Sequence, residues 1–217
     1  MKNLNLIMTY SNTAINLSIL IVFMLFFGCN SDNENDLPNI EVGEIGPSGG
    51  FVFFDKGEYT DGWRYIEAAP NDLEGMEWGC FDSPILDSRQ TGVGFGLQNT
   101  LAIVTFHDSF DDYYNNPEQC SDMSNGTVAA KACTELVVLG FDNWHLPSEG
   151  EMLLMYENLH LNGLGNFDTV SNKLYWTSTE HDDNTATATD FSNGDQGWLC
   201  KQCDLGQSTK IRAVRYF

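Results

Sequence analysis

The chain has 217 residues, 31 of them Asp or Glu against 10 Lys or Arg, for a formal net charge of -21. Hydrophobic residues make up 42% and aromatics 12%, which is enough apolar material for a packed core and unlike a disordered acidic tail. The length fits one domain with or without an appendage, and the charge excludes polyanionic partners, because nucleic acid, anionic headgroups and sulfated glycans are all repelled.

The first residues form a polar leader with one positive charge, Lys2, running into nine apolar residues at 19–27 and then Gly28 and Cys29. That run is shorter than the ~20 residues a membrane-spanning helix needs, and its length and small terminal residue predict a secretory signal. The Phe-Phe-Gly-Cys ending resembles a bacterial lipoprotein signal. The resemblance implies cleavage after Gly28 and a diacylglyceryl group on Cys29, although Phe26 stands where such signals usually have leucine. Residues 30–38 are polar, acidic and aperiodic, so residues 29–43 are expected to form a lipidated tether. Acidic residues directly after the cysteine resemble the surface-export signals of Gram-negative lipoproteins. Outer-membrane anchorage with display at the cell surface is therefore expected, with the lipid as the sole membrane contact.

Residues 44–217 are expected to form the folded domain. The apolar run at 49–55 reads as a strand and the alternation at 63–68 as its hairpin partner, with residues 56–62 as the turn. Residues 99–106 have helical spacing, and Ala129, Ala132, Cys133, Leu136 and Val137 predict an amphipathic helix over 127–139, stopped by Gly140. Ser148 followed by Glu151 is a capping-box signature for a third helix, with Met152, Met155, Tyr156 and Leu159 on one face. Residues 174–179, 186–191 and 209–217 read as strands; in the last, Ile211 and Ala213 share one face and Val214 and Tyr216 the other. A hairpin, then helices, then several strands predicts an α+β fold with antiparallel pairing.

The six cysteines are Cys29, Cys80, Cys120, Cys133, Cys200 and Cys203. With Cys29 lipidated, five remain in an oxidising compartment, and the spacing leaves their connectivity open. The pair Cys120 with Cys133 is favoured because a short loop leads directly into a helix; closing it stabilises by roughly 3 kcal/mol in the chain-entropy model. Cys200 and Cys203 lack the second close pair of a structural zinc site and the βαβ setting of a thioredoxin-like motif. Structural disulfides are expected instead.

A series of motifs then accumulates: Ile45-Gly-Pro-Ser-Gly-Gly-Phe-Val-Phe-Phe-Asp55, Tyr65-Ile-Glu-Ala-Ala-Pro70, Trp78-Gly79, Gln98-Asn-Thr100, Ala129-Ala130, Asn143-Trp-His-Leu-Pro147, Glu151-Met-Leu153, Tyr175-Trp-Thr-Ser-Thr179 and Ile211-Arg-Ala-Val-Arg215. From residue 44 to 217 this series resembles the Lcl C-terminal domain family, the domain that ends a bacterial collagen-like adhesin. The resemblance implies a C-type-lectin-like fold with paired terminal strands, two to three helices and a long loop region. It also implies adhesion or ligand recognition without catalysis. The chain departs from the family in having no collagen-like stalk, no basic surface for sulfated glycosaminoglycans, and His145 where arginine is more usual.

Trp144 and Trp176 read as core anchors, and Arg212 and Arg215 as partners for carboxylates of this acidic chain, with a grip on an acidic ligand as the alternative. The candidate ligand site is the polar stretch with Glu180, Asp182, Asp183 and Asn184, together with Asp190, Asn193, Asp195 and Trp198. Carboxylates, amides and an exposed tryptophan are the mixture that binds Ca²⁺ or holds a sugar against an aromatic face. Residues 190–195 match only part of an EF-hand loop, so no specific motif supports calcium, and no other cofactor is expected. A second acidic and aromatic cluster lies at residues 107–114. The expected function is a non-catalytic module for a neutral glycan or a protein. The alternative is an enzyme, either of the sulfatase-modifying type or a glycan hydrolase working through paired carboxylates. No catalytic residue can be singled out for it.

Overall fold

A computed structural model describes residues 39–171, 173–202 and 209–217. Cys29, the tether up to Pro38, and Cys203 lie outside the described residues. Among those described, the strands are β1 (Phe51–Thr60), β2 (Trp63–Ala68), β3 (Leu174–Glu180), β4 (Thr185–Asp190), β5 (Gln196–Cys200) and β6 (Val214–Tyr216). The α-helices are α1 (Gly96–Asp108), α2 (Ala129–Thr134) and α3 (Glu149–Asn158). The strands form two antiparallel three-stranded sheets, ordered β1-β2-β6 and β3-β4-β5. The chain is a mixed α+β protein.

The first sheet forms because β1 and β2 meet at a two-residue turn, Asp61-Gly62, with φ of 53° and 83°. Two successive left-handed residues match the twist of a hairpin, so the turn is shorter than the segment 56–62 expected from the sequence, and β1 runs on to Thr60. The C-terminal strand joins this sheet but pairs with β2, not β1; the terminal strands flank a shared neighbour. Gly50 presses against β2 so closely that a Cβ there would lie 1.8 Å from the Ala68 carbonyl oxygen, which requires glycine. The last residues of the expected tether lie against this sheet: the Ile40 N–H donates to Tyr65 Oη at 3.1 Å, and Gly43 to the Val52 carbonyl at 2.8 Å.

Two apolar clusters follow from the strand alternation. Trp78, Ile103, Trp144, Trp176, Ile211 and Ala213 are buried in one; Phe53, Ile66, Met152, Met155, Tyr175, Phe191 and Val214 in the other. Ile211 and Ala213 thus separate from Val214 as the period of two requires, although regular pairing covers only residues 214–216. The capping box at Ser148 and Glu151 is formed. Glu151 is fully buried, and it accepts hydrogen bonds from Ser148, Gly94 and Gly96 backbone N–H groups and from Tyr216 Oη–H. One carboxylate thereby joins the starts of α1 and α3 to β6.

The second helix is shorter than its periodicity suggests. It ends at Thr134, and Val137 and Leu139 are 64% and 77% exposed; residues 138–141 turn back in a bridge instead, with Leu139 in left-handed backbone. Leu136 and Val138 still pack against the core, but Val137 and Leu139 meet no partner surface, and a helix without a continuous buried face has little tertiary support.

The favoured disulfide is corrected. Cys120 bonds to Cys80, 40 residues away, and Cys133 is a buried free thiol. The pairing follows from the approach of the two loops, whereas Cys133 points from α2 into the core. Burial pushes its thiol far above the ordinary range, so it is inert. Cys200 is also disulfide-bonded.

Candidate functional site

Seven of the eight candidate ligand residues fall at the two ends of β4, and the eighth, Trp198, lies in the middle of β5 opposite Thr187. Glu180, Asp182, Asp183 and Asn184 belong to the β3–β4 turn, while Asp190, Asn193 and Asp195 form the β4–β5 turn. A six-residue strand separates them by roughly 17 Å, and they do not converge. Among the described residues, no three of His, Cys, Asp and Glu are placed to hold one metal ion.

The β3–β4 turn is locked by its own side chains. Asp182 Oδ1 accepts from the backbone N–H of Asn184 and Thr185, at 2.9 and 2.8 Å, and from Thr185 Oγ1 at 2.8 Å. The Thr185 hydroxyl and these amides hold the carboxyl down at about 2. Asn184 Oδ1 accepts from the Asp82 N–H at 3.1 Å, pinning the turn to the neighbouring loop.

Beneath the turn lies a buried charge cluster. Lys201 and Glu180 side chains are both fully buried, with Nζ 2.5 Å from Oε1. Lys201 Nζ also donates to the carbonyl oxygens of Ser83 and Asp183, each at 3.0 Å. All three ammonium protons therefore have acceptors. Glu180 Oε1 accepts in addition from the Ile85 N–H at 2.8 Å, and Oε2 from Arg89 Nε at 2.7 Å. Arg89 reaches on to Asp183 Oδ1 at 3.2 Å. Burial pulls the Lys201 ammonium below its ordinary value, with Glu180 pulling the other way. These groups are structural: they tie β3, the end of β5 and the loop 83–89 into one unit.

The β4–β5 turn has the same character. Asp190 Oδ1 accepts from Ser192 N–H and Oγ–H at 2.8 and 2.6 Å, and Oδ2 pairs with Lys173 Nζ at 2.7 Å. Burial alone raises this carboxyl, but Lys173 and Ser192 outweigh it and hold it below the usual range. Asn193 bonds Asp195 twice, through the Asp195 N–H at 3.0 Å and Oδ2 at 2.7 Å.

Trp198 stands apart. It lies on edge strand β5, is 66% exposed, and stacks on His181 with ring centroids 3.7 Å apart and planes 18° from parallel. His181 Nδ1 is held 3.1 Å from Thr185 Oγ1 and 3.3 Å from Asp182 Oδ2. The turn that engages Asp182 therefore also aims the imidazole that backs the indole. The pairing of Trp198 with His181 was invisible in the sequence, because it depends on which strand returns beside the turn; the exposed tryptophan itself was legible. Strand β5 went unread because Gly197 and the surrounding polar residues resemble a loop.

The second cluster, residues 107–114, is interior only at His107 and Tyr113; Asp108, Asp111 and Asp112 are exposed. His107 is fully buried; Nε2 accepts from the Cys80 N–H at 3.0 Å, so Nδ1 carries the proton toward the Ile103 carbonyl at 2.7 Å. Burial pulls the imidazole down to about 4. Tyr113 is buried against His107 and bonds Ser124, and Tyr114 donates to Asp108 at 2.7 Å. The arginines at the C-terminus also proved structural: Arg212 bonds Asp72 and the Gly165 carbonyl, and Arg215 bonds Glu67 and Asn143.

No protein-family profile matches the chain, and no curated protein matches it. Among solved structures it is similar to a fimbrial protein from Bacteroides ovatus ATCC 8483, at 13% identity and a TM-score of 0.42, over 71% of this chain. The aligned region spans 36% of that protein's chain.

Proposed function

We propose that the chain is a lipoprotein anchored at the outer membrane through Cys29 and displayed on the cell surface. There its C-type-lectin-like domain acts as a non-catalytic module that binds a neutral glycan or a protein. One observation carries this reading: a tryptophan left two-thirds exposed yet held in one orientation by stacking on His181. A large aromatic surface kept in water and oriented is the form that recognition surfaces take. Of the candidate carboxylates, Glu180 is tied into a buried ion pair and Asp190 into a turn and an ion pair with Lys173. The acidic surface opposes polyanionic ligands, sulfated glycans and nucleic acid included.

The test is binding of the full chain to a glycan array and a protein array, with and without calcium. Specific retention on either array supports the module. Silence on both arrays sinks it, and turnover of a substrate by the purified chain would assign an enzyme instead.

A further inference from the structure

Trp198 has a geometry that the other tryptophans lack. Trp78, Trp144 and Trp176 are buried in the core, and each indole N–H donates to a backbone carbonyl, of Thr177, Phe141 and Met76 respectively. Trp63 is covered by stacking on Tyr216 at 4.7 Å, with the Lys56 ammonium 3.9 Å from its ring centroid. Trp198 stacks on His181, is 66% exposed, and has no second ring or cation over it among the described residues. Its ring plane is set before any ligand arrives, which removes much of the ordering penalty that binding carries.

We propose that the open face of the Trp198 indole is a stacking subsite for one neutral pyranose ring with equatorial hydroxyls, of the β-glucosyl or N-acetyl-β-glucosaminyl type, with His181 as its positioning residue. This rests on the binding-module reading and names its ligand class. An aromatic face is electron-rich. A pyranose with equatorial hydroxyls presents axial C–H bonds on its flat faces, so that their partial positive charge meets the ring. Asp182 and Asp183, 52% and 55% exposed at the side chain, lie in the same turn as His181. Carboxylates accept hydrogen bonds and donate none; they suit sugar hydroxyls and repel uronates, sialates and sulfates. One indole covers one ring, so affinity for a monosaccharide is on the order of 1 mM. Higher affinity then comes from a polymeric glycan meeting many surface copies.

The full chain is titrated with methyl β-glucoside, methyl N-acetyl-β-glucosaminide and methyl β-glucuronide, read by indole fluorescence and by saturation transfer to the sugar protons. At least one neutral glycoside is expected to shift the emission and to receive saturation on its axial protons, and the glucuronide to bind about ten-fold more weakly. Trp198→Ala should abolish both signals, Trp198→Phe weaken them a few-fold, and His181→Phe preserve more binding than His181→Ala because it keeps a stacked ring. Unchanged urea midpoints show that the variants are folded. Equal binding by wild type and Trp198→Ala, or no response to any neutral glycoside, overturns the subsite. Retention on the protein array that is lost in Trp198→Ala, without a glycoside response, assigns the face to a peptide and likewise overturns it. Each of these leaves the binding module standing whenever an array hit survives; silence on both arrays, with no glycoside response, removes both.

Discussion

Trp63 and Trp198 occupy equivalent settings in the two sheets: each is on a strand, and each lies flat against another ring. Trp63 sits in the sheet β1-β2-β6, where Tyr216 and Lys56 take its ring beside a register shift in the β1–β2 pairing. Trp198 sits on the edge of the sheet β3-β4-β5. The surroundings there are irregular loops fastened by side chains: a disulfide, a buried charge cluster and a buried imidazole. Where loops are pinned from beneath by charged groups, the surface above them can be kept open.

The largest effect should come from the disulfide. Replacing Cys80 and Cys120 together by alanine removes a 40-residue separation from cross-linking, a loss of about 4 kcal/mol in the chain-entropy model. Urea denaturation measures it. Hydrogen exchange should show the loops around the β3-β4-β5 sheet loosened and the β1–β2 ladder still protected; uniform loosening would break the contrast between the regions.

Next are the buried ion pairs, one in each sheet. Glu67→Ala leaves Arg215 without its carboxylate, and Glu180→Ala does the same to Lys201; each should destabilise by about 3 kcal/mol. Only Glu180→Ala should alter the Trp198 emission, isolated as the difference from a matched Trp198→Phe variant, because Glu180 lies beneath the turn that carries His181.

His107 predicts a pH dependence of similar size. Its imidazole titrates at about 4 when folded, against 6.5 in the reference state. Between those values the unfolded chain binds more protons than the folded one, so stability falls as pH drops from 6.5 toward 4 and this loss is complete below 4. The contribution is about 3 kcal/mol. Urea midpoints across this window should slope for the wild type and flatten for His107→Gln. Asp182 acts at lower pH: its stabilisation is present above about 4 and lost as pH falls through about 2, which should unpin His181 and change the Trp198 emission there.

The smallest effect is the sharpest test. Trp63→Ala should cost about 2 kcal/mol through lost packing, and Trp198→Ala less than about 0.5 kcal/mol. Equal destabilisation by the two would make Trp198 an ordinary packing residue.

Much of the fold was legible locally. The capping box at Ser148, the core tryptophans 144 and 176, and the split of Ile211 and Ala213 from Val214 all follow from period and neighbour chemistry. The Asp61-Gly62 turn carried an equally clear signal, a two-residue pair able to take left-handed backbone, and shows that a longer turn was not needed. The candidate site was legible as composition but not as arrangement. Its carboxylates were expected to converge, yet the six residues of β4 hold them apart, and Glu180 proved to be an interior charge whose partners lie 21 and 91 positions away.

What the sequence by itself determined is what depends on residues a few positions apart: caps, turns, strand alternation, the apolar content of the core and the acidity that opposes polyanions. Tertiary structure decided which cysteine meets Cys120, which acids are buried with a cation, and that His181 comes to lie under Trp198. These are matters of register and of loops closing over tens of residues. Any of several acids, cysteines or rings could chemically have filled each place, and only the packing of the two sheets selects among them.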